Sequence, residues 1–152
     1  MATVYDVAAY ILNKDSPMSA MKLQKLCYFS YGYHLAWDDE QLFQEPFQAW
    51  ANGPVAPALY AHHRRQYVVE AGQINGNPDA LSEGQRESID IVFDNLGGYN
   101  AHELSEISHH AAGPWHMARQ RVGARDLERS TEPLRDEDIA DYFGALVATG
   151  EE

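Results

Sequence analysis

Lys22-Leu23-Gln24-Lys25-Leu26-Cys27-Tyr28-Phe29-Ser30-Tyr31-Gly32-Tyr33-His34-Leu35-Ala36-Trp37 reads as one long helix, and the fold is built outward from it. Leu23, Leu26, Cys27, Ser30, Tyr33, His34 and Trp37 recur at three- and four-residue spacing and line one inward face. Ser19 is suited to cap the helix start. Gly32 marks a place where another helix comes close. Tyr28, Phe29 and Tyr31 carry aromatic character round the rest of the surface, and a helix apolar on all sides is either central in a core or meets a partner. Tyrosine and tryptophan are favoured interface anchors. Tyr28 and Tyr31, on the side away from Leu23, Leu26 and Ser30, are therefore candidate partner contacts. Asp38-Asp39-Glu40 ends the helix in a charged tip, a candidate rim for the same contact.

Beyond the tip, residues 42–50 read as one extended segment, or two around Pro46, with Leu42, Phe47 and Ala49 inward and with Pro46 implying an edge strand or bulge. Asn52-Gly53-Pro54 is a turn signal, since glycine supplies positive φ and proline fixes its own. Pro57 suits the first turn of a helix, predicted to reach about residue 67. Upstream, Val4, Val7, Ala8, Ile11 and Leu12 form one stripe that starts after Thr3 and is broken by residues 13–17. Downstream, Ser82/Gln85 and Asn100/Glu103 are spaced as capping boxes. They introduce the stripes Ile89, Val92, Phe93, Leu96 and then Leu104, Ile107. Pro114 opens a short helix with Trp115 and Ala118, residues 123–133 are polar and irregular, and Ile139, Tyr142, Phe143, Leu146 and Val147 mark a last helix. The pattern predicts a mainly α (α+β) protein: one compact helical domain over residues 1–152, with a small antiparallel β element around residues 42–50.

A chain of 152 residues, 45% hydrophobic, is long enough and apolar enough to bury a real core. Its 23 acidic against 11 basic residues give a net charge of -12. That charge repels phosphate backbones and argues against direct nucleic-acid binding, while it attracts a basic protein surface. A single cysteine, Cys27, excludes a disulfide framework and suits a reducing cytoplasm. No run approaches the ~20 apolar residues of a membrane span, so no membrane insertion is expected. The first residues lack the basic start and apolar stretch of a signal peptide.

The chemistry-bearing residues form no recognisable catalytic set. His62-His63 and His109-His110 are neighbours pointing about 100° apart on a helix, so neither pair chelates alone. A metal-dependent hydrolase using them is the sharpest enzyme alternative, but the spacing matches no zinc motif. Cys27 and His34 stand about 10 Å apart along one helix, too far for a nucleophile and its base. Ser105, Ser108 and His109 lack a nucleophile elbow, phosphate-binding glycine loops are missing, and Asp38, Asp39 and Glu40 do not fit a calcium loop. The expectation is no enzyme, no metal and no cofactor.

Taken as an ordered set, these segments resemble the Panacea domain family, also called SocA-like or GepA, of phage-associated proteins. The helix block holds Leu23, Lys25, Leu26, Tyr28 and Phe29. Next come Ala49-Trp50, then Gly53-Pro54-Val55 with Pro57 and Tyr60. Leu104, Ser108-His109, Pro114-Trp115 and Ala118 follow, and Ile139, Tyr142 and Phe143 close the set. Ser108 stands where the family pattern has threonine. The resemblance implies that 1–152 is a stand-alone Panacea domain and a cytoplasmic antitoxin whose partner is a cognate toxin protein, neutralised by direct contact. One branch of the family is similar to protease adaptors, which would add a cytoplasmic protease as a second partner. The acidic stretch 149–152 resembles no apolar degradation tag. The shared motif residues, including Trp50, Gly53, Pro54, Val55, Tyr60, His109, Pro114 and Trp115, are expected to serve the fold rather than the contact.

Overall fold

A computed structural model describes residues 1–110 and 112–150; Glu151 and Glu152, the end of the acidic stretch, lie outside them. Among the described residues there are seven α-helices, one of them central. They are α1 (Val4–Lys14), α2 (Ala20–Asp38), α3 (Pro57–His63), α4 (Glu83–Leu96), α5 (Ala101–Ser108), α6 (Pro114–Arg121) and α7 (Asp136–Thr149). Strands β2 (Gln48–Trp50) and β3 (Gly53–Val55) form an antiparallel hairpin, and β1 (Met18–Ser19) pairs antiparallel with β4 (Val68–Val69). The fold is mainly helical, as the residue pattern predicts.

Local chemistry sets the boundaries. Thr3, Ser82 and Asn100 each cap a helix and complete a reciprocal box with Asp6, Gln85 and Glu103. Ser19 accepts from the Lys22 N–H and starts α2. Pro57 and Pro114 occupy first turns, where a missing N–H leaves no bond unmade. Two expectations shift. Helix α3 ends at His63 instead of residue 67, because Arg64 turns extended and Arg65 takes φ 72°, which frees the chain to pair as β4. The strand expected across 42–50 is confined to its last three residues; Leu42, Phe43 and Phe47 are buried without strand pairing. Ile107, expected inward with Leu104, is exposed.

Helix α2 is the hub. Every residue from Leu23 to His34 is buried, because α7 and α4 pack on it from two sides, with α5, α1 and β3 around the rest. This corrects the expectation for Tyr28 and Tyr31. Tyr28 is 1% and Tyr31 3% exposed, so neither offers a surface to a partner. Tyr28 stands edge-on to Phe29, Phe47 and Phe143. Tyr31 packs on Phe43 and Phe47 and donates to Asp136 Oδ1 at 2.7 Å, tying α2 to the start of α7. Aromatic pairs of this kind contribute about 0.5–1.5 kcal/mol each beyond simple burial.

Gly32 makes the α2–α7 approach possible. A Cβ there would fall 2.2 Å from Phe143 Cε2, and that ring is itself held edge-on by Tyr28, Tyr33 and Tyr142. Gly32→Ala therefore loses stability by about 1–3 kcal/mol through overpacking, despite alanine's better helix propensity. Denaturant unfolding measures this, and adding Phe143→Leu to Gly32→Ala recovers part of the loss.

Candidate functional site

Several of the motif residues, joined by Gln24 and Arg119, meet at one object, the β2–β3 hairpin, which is gripped by its main chain from both sides. From α2, the Gln24 amide pairs with the Ala56 peptide: its Oε1 accepts from Ala56 N at 2.9 Å and its Nε2 donates to Ala56 O at 3.2 Å. The same Nε2 lies 2.9 Å from His63 Nε2, which accepts from it. One turn round, Lys25 Nζ donates to Pro54 O at 3.2 Å. From α6, Trp115 Nε1 donates to Trp50 O at 2.7 Å and Arg119 Nη1 to Ala49 O at 3.0 Å. Gln24, Lys25 and Arg119 are buried, so each bond replaces water that cannot enter.

Gly53 is required at the hairpin for two reasons. Its φ is +129°, in the region side chains avoid. A Cβ would also sit 2.6 Å from Lys25 Cε and 3.2 Å from Ser108 Oγ. Across the turn, the His109 ring stacks on Trp115 at 3.9 Å and 7° beside the Asn52 main chain, while its Nε2 is buried without a hydrogen-bond partner. Tyr60 stands edge-on between Trp50 and His63. Leu23, Leu26, Phe29 and Val55 complete the core beneath, Pro54 is buried in β3, and Pro114 only starts α6.

Arg119 does more than hold the hairpin. Its Nη2 donates to Arg125 O at 2.8 Å and Glu128 O at 2.6 Å, so one buried guanidinium also shapes the 122–128 loop. The sequence assigns no role to Gln24 or Arg119, and it places His34 on the inward face without its bonds to Ser88 and Glu40. Arg119 could have been found from its place one turn beyond Trp115 on the same face. Two grooves open beside the Ala51–Asn52 turn, where Asn52 is exposed. One, of about 480 Å³, is walled by Trp50, Val55, Tyr60 and Arg129. The other, of about 720 Å³, is walled by Trp115, His109, Glu106 and Leu127.

The acidic tip is a separate place. Asp38, Asp39 and Glu40 are exposed, with Asp39 capping α2 at φ 53°. Glu40 Oε1 lies 2.8 Å from His34 Nε2, and Ser88 Oγ lies 2.7 Å from His34 Nδ1, so both ring nitrogens of this buried histidine are engaged. Asp38 Oδ2 is 3.5 Å from Nδ1. The histidine pairs proposed for a metal do not converge. His62 packs on Tyr5, His63 serves Gln24, His109 stacks on Trp115 and His110 faces Tyr142. Among the described residues, none of the four joins a cluster of three metal-ligating side chains. Cys27 is buried, which pushes its thiol pKa up.

Burial lowers the Lys25 pKa from 10.5 to about 7. It also holds the His63 and His109 imidazoles below their ordinary range. Between pH 7 and 10.5 the unfolded chain binds a proton at Lys25 that the folded chain does not, so stability rises with pH through that window. For the two histidines the same sign makes stability fall as pH drops below 6.5. Wild-type protein should gain about 2 kcal/mol of unfolding free energy from pH 7 to pH 9, a gain that Lys25→Met removes; denaturant titrations at both pH values check it. Arg119→Lys, which cannot span three carbonyls, should speed limited proteolysis within 122–131 several-fold, read by mass spectrometry.

The antitoxin SocA-like Panacea domain model matches residues 23–116, from Leu23 at the head of the clamp to the helix carrying Trp115. The chain is 31% identical over 135 residues to Antitoxin SocA of Caulobacter vibrioides (strain NA1000 / CB15N), a match covering 77% of this chain and 70% of that protein. No solved structure matches. With the matched region spanning more than half of its length and containing the hairpin together with Gln24, Lys25 and Trp115, the chain belongs to the antitoxin SocA-like Panacea domain family.

Proposed function

We propose that this chain is an antitoxin that neutralises a cognate protein toxin by direct protein–protein contact, without catalysis. The observation that carries the reading is the match to Antitoxin SocA over 70% of its length. The geometry agrees. Gln24, Lys25, Trp115 and Arg119 direct their polar atoms to main-chain carbonyls and peptides, which makes them parts of a frame. What the frame leaves facing outward is two grooves and an acidic surface, features suited to binding.

Acidic charge steers the domain to a basic patch on the toxin, and Asp38, Asp39 and Glu40 supply part of that field at the α2 tip. No helix among the described residues is long and apolar enough to cross a membrane. Co-expression with the product of the neighbouring reading frame tests the function. Rescue of growth with a co-purifying complex supports it; a harmless neighbour that does not bind contradicts it. Toxin levels that fall only when a protease is present would make the chain a delivery adaptor instead of a steric blocker.

The steering role of the tip has its own test. In the triple variant Asp38→Asn, Asp39→Asn, Glu40→Gln, shapes and the left-handed cap are kept while charge is lost. Its association rate with the toxin should fall about three- to tenfold at low salt, with a flatter salt dependence. Stopped-flow or surface-based kinetics would show this, and an unchanged rate and salt slope would remove the tip from the contact.

A further inference from the structure

We infer that the two grooves beside the Ala51–Asn52 turn act as one docking furrow for an extended segment of the toxin, apolar in character and carrying a basic side chain at the Glu106–Asp126 end. The inference rests on the antitoxin reading above. The grooves, about 480 and 720 Å³, share Met21, Ala51 and Asn52, so they run together around the turn. Volumes of this size suit side chains from a partner. The floor is rigid, because the hairpin is held from both α2 and α6, and a preorganised surface loses little freedom on binding.

Leu127 singles out the rim. It is 78% exposed and sits at φ 65°, a conformation that leucine disfavours and asparagine or glycine accepts. The loop is nevertheless fixed there. Arg119 holds the carbonyls on both sides of Leu127, those of Arg125 and Glu128, and the Arg125 N–H donates to Glu128 Oε1 at 2.8 Å. A large apolar side chain is thus displayed to solvent at the edge of an apolar groove by a buried cation, an arrangement with no gain for the isolated fold.

Charge decides the occupant. Glu106 and Asp126 line the larger groove. Asp126 makes no ion pair among the described residues, and Glu106 lies 3.6 Å from the exposed His102 and acts electrostatically on the neighbouring His109. A second copy of this chain, at a net charge of -12, would be repelled. A toxin segment with a lysine or arginine beside apolar residues is attracted and can bury Leu127.

The test measures binding of the full chain to the product of the neighbouring reading frame, together with the melting temperature of each variant. Leu127→Asn relieves the left-handed backbone, so its melting temperature should hold or rise while affinity falls about tenfold, mainly through faster dissociation. Glu106→Gln with Asp126→Asn should weaken binding several-fold and reduce its salt dependence. Full-affinity binding by both variants would overturn the furrow while leaving the antitoxin reading in place. A wild-type chain that does not bind this product would overturn the antitoxin reading and the furrow with it.

Discussion

Everything described here depends on one constraint: a three-residue hairpin strand pair is too short to hold itself in place. Two-stranded ribbons are marginal in water. Here β2 and β3 are stabilised by side chains that bond their main chain directly. Lys25 reaches from α2, and Trp115 and Arg119 from α6, while Gln24 holds the peptide of Ala56, the residue that follows β3. Because the groups are buried, each lost partner would leave a polar atom without water, so the four contacts act together more strongly than exposed bonds would. Lys25 is the costly member. An amine with a pKa of about 7 and one carbonyl acceptor is held in place by the packing around it.

The hub helix makes the clamp possible. With α7, α4, α5 and α1 packed around it, α2 has no free face, and the orientation of Gln24 and Lys25 toward β3 is fixed by the same core that buries Tyr28 and Phe29. The motif thus alternates two tasks along a few residues. Leu23, Leu26 and Phe29 fill volume, while Gln24 and Lys25 bond the hairpin.

Most of this frame was legible in the residues. Helix starts were visible because serine, threonine, asparagine and proline have definite local chemistry at Thr3, Ser19, Pro57, Ser82, Asn100 and Pro114. Gly32 and Gly53 could be read as a close contact and a positive-φ turn. The misplacements came from tertiary context. Periodicity cannot tell a helix surrounded on all sides from one that meets a partner, and the face it leaves to Tyr28 and Tyr31 is covered by α7, Phe43 and Phe47. The end of α3 depended on Arg65 adopting positive φ, a conformation arginine does not advertise. The candidate site was visible as a set of motifs but not as a place. Neither the convergence of Lys25, Pro54 and Trp115 nor the display of Leu127 by Arg119 follows from spacing along the chain.

A frame of this kind separates stability from recognition: the clamp bonds main chain, and the surface around it is left free to bind. Hydrogen exchange of the chain alone and in complex with the toxin proposed as its partner tests that separation most directly. The account predicts that amides at 49–55 in the free protein exchange only through near-global unfolding, and that the complex adds protection at 105–109 and 122–131. A hairpin that exchanges as fast as the surface loops, or new protection confined to other faces, would contradict it.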